Sequence, residues 1–402
     1  MQSLVSSPDM AGELDCEDFV DKKDLGLKRY ELIDRLAVGG MAEIFLARQL
    51  GLEGFERIVV IKRIRPELAG DQRFVRMFLE EAHLGSRLNH SSIVQVYDLG
   101  KLQETYFMAM EYIFGRDMRR VMRKSKSAKI PFPVVYAMKV ASSVCEGLHY
   151  AHKFIDARGN KRCIVHSDIS PENIFVSFEG TVKILDFGVA TDGTQSERRR
   201  SREIRGKVSY MSPEQVTGRP LDARSDIFSL GSALYEWITG FRLFTGDDQE
   251  AVLKAISVAN VHAPSFFNVD VPESAENILM KALERDPNQR YQSAWEMQYD
   301  IDQFLAGYDF TPSNIHLSNF LKQLFGDELE EERERWSREG TSLAGNDFEA
   351  SDEEAAPDEQ PRQVRVLLEP EEHDWLEEVA KRNDLSPGDV LREMLNPHLR
   401  FR

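Results

Sequence analysis

The stretch IVHSDISPENIFV at residues 164–176, followed by VKILDFGVA at residues 182–190, is the most informative part of the sequence. Asp168 and Asn173 share one loop, and Asp186 ends a β-branched run just before a glycine. Carboxylate and amide oxygens are hard ligands that suit Mg²⁺. A carboxylate that orients an attacking hydroxyl, beside such a metal site, is what phosphoryl transfer requires of a protein. The pattern therefore indicates a site for phosphate chemistry.

Residues upstream of this stretch supply a cradle and a cation for a triphosphate. Gly39 and Gly40, in LAVGGMAEIFLAR, would let the backbone approach phosphates without a Cβ in the way. Lys62 ends the apolar run IVVIK, and Glu81 follows on an amphipathic helix, so the two could form an ion pair. A glycine pair alone is more often a turn, and an isolated Lys or Glu is more often a solvated charge. Their order along the chain favours the phosphate site.

Three motifs together resemble those of the protein kinase superfamily. HSDISPEN is similar to the catalytic-loop motif HRDLKPEN, DFG stands unaltered at 186–188, and SPE at 212–214 resembles the motif APE. The resemblance covers roughly residues 30–304. It implies an α+β fold of two lobes, an antiparallel-sheet N-lobe and a helical C-lobe with a nucleotide cleft between them. It also implies a bacterial eukaryotic-like serine/threonine protein kinase that uses ATP and Mg²⁺ and acts on protein substrates.

The resemblance also implies roles for individual residues. Asp168 would be the catalytic base, and Lys62, held by Glu81, would bind the α- and β-phosphates. Asn173 and Asp186 would be the Mg²⁺ ligands. The implied nucleotide-binding residues lie in the glycine loop, on the next strands and in the hinge-like MEYI segment with its gatekeeper Met110. They are Leu36, Val38, Gly39, Gly40, Ile44, Lys62, Met110, Glu111, Ile113 and Asp117.

Other motifs imply structural supports and an acceptor class. Asp226 in SDIFSLG resembles the residue that braces the catalytic loop, and Glu214 with Arg290 resembles the ion pair that holds the activation segment. YMSPE is closer to serine/threonine kinases than to tyrosine kinases, which favours Ser and Thr hydroxyls as acceptors. Autophosphorylation is a hypothesis for the hydroxyls of Thr191, Thr194, Ser196 and Ser201. The departures from the family pattern are Ala37, Ala42, Ser167, Ser170 and Lys207. Ser167, Ser170 and the altered glycine loop motivate a pseudokinase scaffold as an alternative.

Composition argues against several other classes of protein. The 402 residues have a hydrophobic share of 42%, enough for a sizeable core, and the formal net charge of -17 opposes non-specific binding to nucleic acid or anionic membranes. The three cysteines have no CxxC spacing, which argues against a disulfide framework or a zinc site. No apolar run approaches the roughly 18 to 20 residues of a membrane span, and the acidic start differs from a signal peptide. We therefore predict a cytoplasmic protein without membrane attachment.

Shifts in composition divide the chain into segments. They are a leader at 1–27, a kinase domain at 28–305, a helical extension at 306–343, an acidic linker at 344–361 and a C-terminal module at 362–402. The module contains QVRVLLEPEEHDWLEEVAKRNDLSPGDVLREML, which predicts a strand and two helices and resembles a ribbon-helix-helix module.

The resemblance of the C-terminal module implies a homodimer formed by paired strands. Val364, Val366 and Trp375 would lie in the shared core, because one copy is too small to fold well alone. Gln363 and Arg365 would face DNA in a DNA-binding relative, which leaves a DNA-binding regulator as a second alternative. DNA binding is less favoured, because acidic residues outnumber basic ones in this piece. A small helical appendage that docks on the kinase domain is also open.

Overall fold

The computed structural model describes residues 29–102, 105–187, 208–308 and 312–338, with side chains of the last segment described to residue 332. The elements of the first lobe are β1 (Tyr30–Val38), β2 (Ala42–Leu50), β3 (Glu56–Ile64), α1 (Gln72–Gly85), β4 (Val96–Leu102) and β5 (Thr105–Glu111). The strands form one antiparallel sheet in the order β1-β2-β3-β5-β4. This lobe is therefore a sheet that carries one helix.

Strand alternation explains why the sheet presents a lysine to helix α1. Successive side chains of a strand point to opposite faces, so Val59 and Ile61 share one face of β3 while Lys62 and Ile64 share the other. Ile64 belongs to the apolar cluster that includes the buried residues of α1, among them Phe78. Lys62 consequently faces α1.

The second lobe is mainly helical. Its helices are α2 (Met118–Ala128), α3 (Val134–His152), α4 (Pro213–Thr217), α5 (Ala223–Thr239), α6 (Gln249–Val258), α7 (Glu273–Ala282), α8 (Ala294–Ala306) and α9 (Asn314–Arg338). A small antiparallel sheet contains β6 (Gly115–Asp117), β7 (Ile174–Ser177) and β8 (Val182–Ile184). Helices α3 and α5 are buried along much of their length, so they form the centre of the lobe's core.

The small sheet joins the two lobes. The main-chain N–H of Val94, just before β4, donates to the carbonyl of Ile184 on β8 at 2.9 Å. The N–H of Ile184 in turn donates to the carbonyl of Ser92 at 2.8 Å. These bonds connect the edge of the first lobe to the strand that leads into Asp186.

Helix α9 packs onto the second lobe and continues its core. Its buried residues belong to the same apolar cluster as α3 and α5, and they are Leu317, Leu321, Leu324, Phe325 and Leu329. Gly180 permits the close approach of this helix. It has a φ of 83°, and a Cβ there would lie 1.9 Å from the carbonyl oxygen of Asn314. A glycine is therefore needed where the β7–β8 turn meets the start of α9.

The sheet-bearing lobe followed by a helical lobe confirms the predicted fold of residues 30–304. The leader at 1–27, the acidic linker and the C-terminal module lie outside the described residues, and so do Lys207 and the four hydroxyl residues of the activation segment. Helix α9 lies inside the range 306–343 given to the helical extension. Within the four described segments, no helix is both long enough and apolar enough to cross a membrane.

Candidate active site

Lys62 forms ion pairs with residues from both lobes. Its Nζ lies 2.6 Å from Oε1 of Glu81 on α1 and 2.8 Å from Oδ1 of Asp186, which follows β8. Burial opposes the charge of this ammonium, but the carboxylates of Asp186 and Glu81 outweigh it and raise the pKa of Lys62 above its ordinary value. The cluster therefore holds a fixed cation where the two lobes meet.

Asn173 holds Asp168 in place. Its Nδ2 donates to the main-chain oxygen of Asp168 at 2.7 Å and to Oδ2 of the same residue at 2.9 Å. Asn173 ends a short 3-10 turn, Pro171–Asn173, and its carbonyl accepts the N–H of Leu185 at 2.9 Å. Because Leu185 directly precedes Asp186, this bond brings the loop that contains Asp168 beside Asp186.

Asp226 braces the catalytic loop, as its motif implies. It is fully buried on α5; its Oδ2 accepts the N–H of His166 and its Oδ1 accepts the N–H of Ser167, both at 2.8 Å. Ser167 has a φ of 60°, an uncommon backbone conformation for a non-glycine residue, and these bonds help to stabilise it. His152 of α3 adds a third bond, from its Nε2 to Oδ2 of Asp226 at 2.8 Å.

His166 links the loop to the segment around Asp186. Its Nδ1 accepts the N–H of Asp168 at 3.2 Å, which assigns the ring proton to Nε2. That Nε2 donates to the carbonyl of Leu185 at 2.8 Å. The ring also packs edge-on against Phe187, with 4.7 Å between centroids. One histidine thus fixes the position of Asp168 relative to Leu185 and Phe187, which flank Asp186.

The end of the activation segment is anchored to the same loop. Ser212 and Gln215 form a capping box at the start of α4, and Nε2 of Gln215 donates to the carbonyl of Ser167 at 2.7 Å. Glu214 and Arg290 form the ion pair that their motifs imply. Both main-chain groups of Ser167 are therefore bonded, although its side chain lacks the cation of the family's arginine.

The implied nucleotide-binding residues lie on β1, in the β1–β2 hairpin, on β2 and β3, and in the hinge-like segment. Leu36 and Val38 near the end of β1 are 44% and 54% exposed, which leaves apolar surface available to a ligand. The N–H of Gly39 closes the β1–β2 hairpin on the carbonyl of Ala42 at 2.8 Å. A Cβ at Gly39 would make only an ordinary 3.4 Å contact with that oxygen. Packing within the hairpin therefore does not explain the glycine.

The hinge-like segment runs from β5 into α2. Met110 is buried in the core of the first lobe, and Glu111 forms an ion pair with Lys183 of β8 at 2.8 Å. Ile113 lies between β5 and β6, outside strand pairing. Asp117 caps helix α2, because its Oδ1 accepts the N–H of Arg120 at 2.9 Å. The structure thus gives Asp117 a capping role that the sequence interpretation did not include.

Several contributors to the site were missed in the sequence. They are His152, His166, Lys183, Gln215 and the Arg119–Glu172 ion pair. Most of these contacts join residues far apart in the chain, so their spacing carries no local signal. His152 offered a partial one, since it ends a helix whose other buried residues are mostly apolar. A buried histidine usually needs a polar partner.

Comparisons with known proteins agree with this geometry. The model of the protein kinase domain matches residues 30–300. Tyrosine-protein kinase MasK of Myxococcus xanthus is 41% identical over 308 residues, which cover 76% of this chain and 47% of MasK. Serine/threonine-protein kinase PrkC of Bacillus subtilis is 34% identical over 273 residues, covering 68% of this chain and 40% of PrkC. The chain thus spans less than half the length of these curated relatives.

Solved structures support the same fold. The kinase domain of Mycobacterium tuberculosis PknI superposes with a TM-score of 0.51 at 24% identity, covering 68% of this chain and 95% of that one. The matched region contains the full Lys62, Glu81, Asp168, Asn173 and Asp186 arrangement. The chain therefore belongs to the protein kinase family.

Proposed function

We propose that the chain transfers the γ-phosphate of ATP, bound with Mg²⁺, to serine and threonine hydroxyls of other proteins. The observation that carries this proposal is the position of Lys62, whose Nζ contacts both Glu81 and Asp186. A scaffold without catalysis has no need for this cation to be held between two carboxylates. The bond from Asn173 to Asp168 supplies the second half of the site.

The residues present fit a magnesium ion that arrives with the nucleotide. Nδ2 of Asn173 is engaged with Asp168, so its amide oxygen is the atom that it would offer to a metal, beside the carboxylate of Asp186. Among the described residues, no group of three or more His, Cys, Asp or Glu side chains could hold a metal ion alone. Mg²⁺ commonly takes one or two protein ligands and completes its shell with phosphates and water. When bound, it would neutralise charge on the phosphates.

Each residue of the cluster has a distinct task in this mechanism. Lys62 would bind the α- and β-phosphates, and Glu81 would keep its ammonium aimed at them. Asp168 would accept the proton of the attacking hydroxyl, in the orientation that Asn173 imposes. Catalysis then rests on positioning and on charge that is already in place.

The nucleotide would lie between the exposed apolar residues of β1 and the hinge-like segment. Leu36, Val38 and Ile44 would cover the adenine ring, with Met110 at the back of the cleft.

The N–H of Glu111 already donates to the carbonyl of Gln95, so the main-chain carbonyl of Glu111 is the group that it would offer to adenine. Ile113 and Asp117 would complete the site through a main-chain group and a carboxylate oxygen. Gly39 and Gly40 would leave room for phosphates.

Serine and threonine are the acceptors that we favour. The YMSPE segment supports this choice, as do the names of PrkC and of the mycobacterial PknB proteins, which are serine/threonine kinases. The name of MasK makes tyrosine the competing acceptor. Analysis of phosphoamino acids after transfer separates the two.

The test is transfer of labelled γ-phosphate to the protein itself and to a generic basic protein, with wild type beside Asp168→Asn. We expect phosphoserine or phosphothreonine from wild type, and a loss of label in Asp168→Asn with ATP binding retained. Phosphotyrosine alone would correct the acceptor class. Binding of ATP by wild type without any transfer would contradict catalysis and favour a scaffold.

We also propose that residues 362–402 pair two copies of the chain. The support is the sequence pattern of a strand followed by two helices, with apolar Val364 and Val366 on one strand face. Sedimentation of the full chain should give a dimer, and Val366→Asp should give a monomer. Arg365→Ala, on the opposite strand face, is the matched control. A wild-type monomer at high concentration would contradict this proposal.

A further inference from the structure

An arginine beside the hinge-like segment is bound by helix α9, which follows the family match. Arg116 of β6 is 6% exposed, and its Nη2 lies 2.7 Å from Oε1 of Glu332 on α9. Its guanidinium also lies 5.1 Å and 5.5 Å from the ring centroids of Phe178 and Phe325. Arg116 and Glu332 are 216 positions apart in the chain. One buried arginine thus ties the C-terminal half of α9 to the strand that follows the hinge.

This pair differs from the other ion pairs of the same surface. Glu328 of α9 binds Arg120 at 2.9 Å and Lys124 at 2.7 Å, and these basic side chains are 46% and 31% exposed. Exposed pairs of this kind contribute little, and salt screens them. The side chain of Arg116 is 7% exposed and that of Glu332 is 26% exposed, so their pair is less accessible to water. The geometry of the Arg116–Glu332 pair is therefore more strongly fixed than that of the Glu328 pairs.

The strand that carries Arg116 connects directly to both parts of the candidate site. Arg116 precedes Asp117, the cap of α2 and a proposed nucleotide ligand. Across the small sheet, Asp117 pairs with Phe175 and Arg116 pairs with Val176 of β7, the strand that directly follows Asn173. A displacement of β6 would therefore move Asp117 relative to the Mg²⁺ ligands.

We propose that α9 sets the position of the nucleotide-binding segment 113–117, with Glu332 as a positioning residue that acts through Arg116. This inference rests on the proposed function, because it assigns Ile113 and Asp117 to the nucleotide. The family match ends at residue 300, so the helix that would position this segment lies outside the matched region. Among the described residues, loss of the Glu332 carboxylate leaves Arg116 with one carboxylate, that of Glu328 at 3.9 Å. Its Nη1 would still donate to the carbonyl of the adjacent Gly115 at 3.0 Å, a bond within β6 that does not connect to α9.

The first test uses the full chain with Glu332→Gln, which keeps the size of the side chain and removes its charge. We expect the KM for Mg-ATP, and the Kd measured by calorimetry, to rise about three- to tenfold while kcat changes by less than about twofold. Glu331→Gln is the matched control, since this neighbour is exposed and forms none of the ion pairs found in the part of the chain that the structure describes. A lower thermal midpoint with unchanged ATP affinity would overturn the inference and leave α9 a purely structural role.

A second measurement does not depend on nucleotide. Hydrogen exchange of the amides in residues 115–121 should be faster in Glu332→Gln than in wild type, including the Arg120 amide that Asp117 caps. Unchanged exchange in this segment would overturn the inference, whatever the kinetics show. A wild type that binds no Mg-ATP would instead overturn the proposed function, and the exchange result would still decide whether α9 positions β6.

Discussion

Glu214 and Arg290 form a two-point ion pair inside the second lobe. Nη1 of Arg290 lies 2.7 Å from Oε1 of Glu214 and Nη2 lies 3.0 Å from Oε2, with side chains 0% and 4% exposed. The hydroxyl of Ser225 adds a 2.8 Å bond to Oε1. The guanidinium also donates to three main-chain carbonyls, those of Arg224, Glu284 and Arg285. The pair is thus almost fully satisfied and joins α4 to the segment before α8.

Removing Arg290 should be strongly destabilising. Arg290→Met leaves the Glu214 carboxylate buried without its cation, a loss of about 3–5 kcal/mol in the free energy of unfolding. Urea denaturation measures it. The control is Arg242→Met. Nε of Arg242 lies 3.9 Å from Oε1 of Glu236, and the Arg242 side chain is 33% exposed, so the loss in the free energy of unfolding should stay below about 1 kcal/mol. Equal effects of the two substitutions would contradict the anchoring role of Arg290.

The same pair makes the free energy of unfolding depend on pH. Burial alone would raise the pKa of Glu214, but the hydrogen bond and the charge of Arg290 outweigh it, so the pKa lies below its ordinary value. A lowered pKa contributes stability above the unfolded value of about 4.3. That contribution is lost as the pH falls towards the lower folded value. Wild type should therefore lose its stability advantage over Glu214→Gln on acidification below roughly pH 5. A constant difference would contradict this.

Lys62 should be needed for phosphate transfer. Lys62→Met removes the cation between Glu81 and Asp186, which would then repel each other. We expect the initial rate of phosphate transfer to fall at least about a hundredfold, as when other preorganised charges are removed. Lys254→Met, on the exposed side of α6, should leave the rate unchanged. Retention of most activity in Lys62→Met would contradict the proposed mechanism.

Ser170 tests whether a departure from the family pattern matters. It is 1% exposed, and among the described residues no partner lies within hydrogen-bond distance of its Oγ. Ser170→Ala should therefore leave the free energy of unfolding unchanged or raise it by up to about 1 kcal/mol. Ser225→Ala is the comparison, because it removes a bond to Glu214 and should cost about 1–3 kcal/mol. A sharp loss of turnover in Ser170→Ala would show that the hydroxyl takes part in the reaction.

Gly180 reports on the docking of α9. Gly180→Ala and Gly159→Ala both place a side chain at positive φ, at 83° and 81°, which costs about 1–2 kcal/mol each. Only Gly180→Ala also clashes with main-chain atoms of Asn314, whereas nothing lies within 4 Å at Gly159. Denaturation should show a further loss of about 1–3 kcal/mol for Gly180→Ala. Similar losses in both variants would mean that α9 can shift away from the new side chain without lowering the free energy of unfolding.

The motif residues were predictable from sequence because their order carries the signal. Phosphate chemistry needs Lys62, Asp168 and Asp186 in one place, and each stands beside a recognisable strand or loop pattern. Their tasks in catalysis remain proposals, although the structure brings them together. The acceptor class was predicted from YMSPE, and the names of the serine/threonine-protein kinases PrkC and PknB support that prediction.

The contacts that support the site were not predictable in the same way. The Arg116–Glu332 pair joins residues 216 positions apart, and each residue alone is typical of a solvated helix or strand charge. For Asp117, the motif predicted a nucleotide ligand. Its position just before α2 also makes it the N-cap of that helix, which the sequence analysis did not predict. Tertiary packing brings these residues together, and no local sequence pattern predicts such contacts.

Helix α9 changes where this domain must end. The family match stops at residue 300, yet the apolar core that contains Phe132 and Phe178 continues through α9 to Leu329. A protein cut after α8 would leave those rings facing water as part of a contiguous apolar patch, the kind of surface on which proteins aggregate. An expression fragment that keeps this core covered must therefore extend past the family match and include α9.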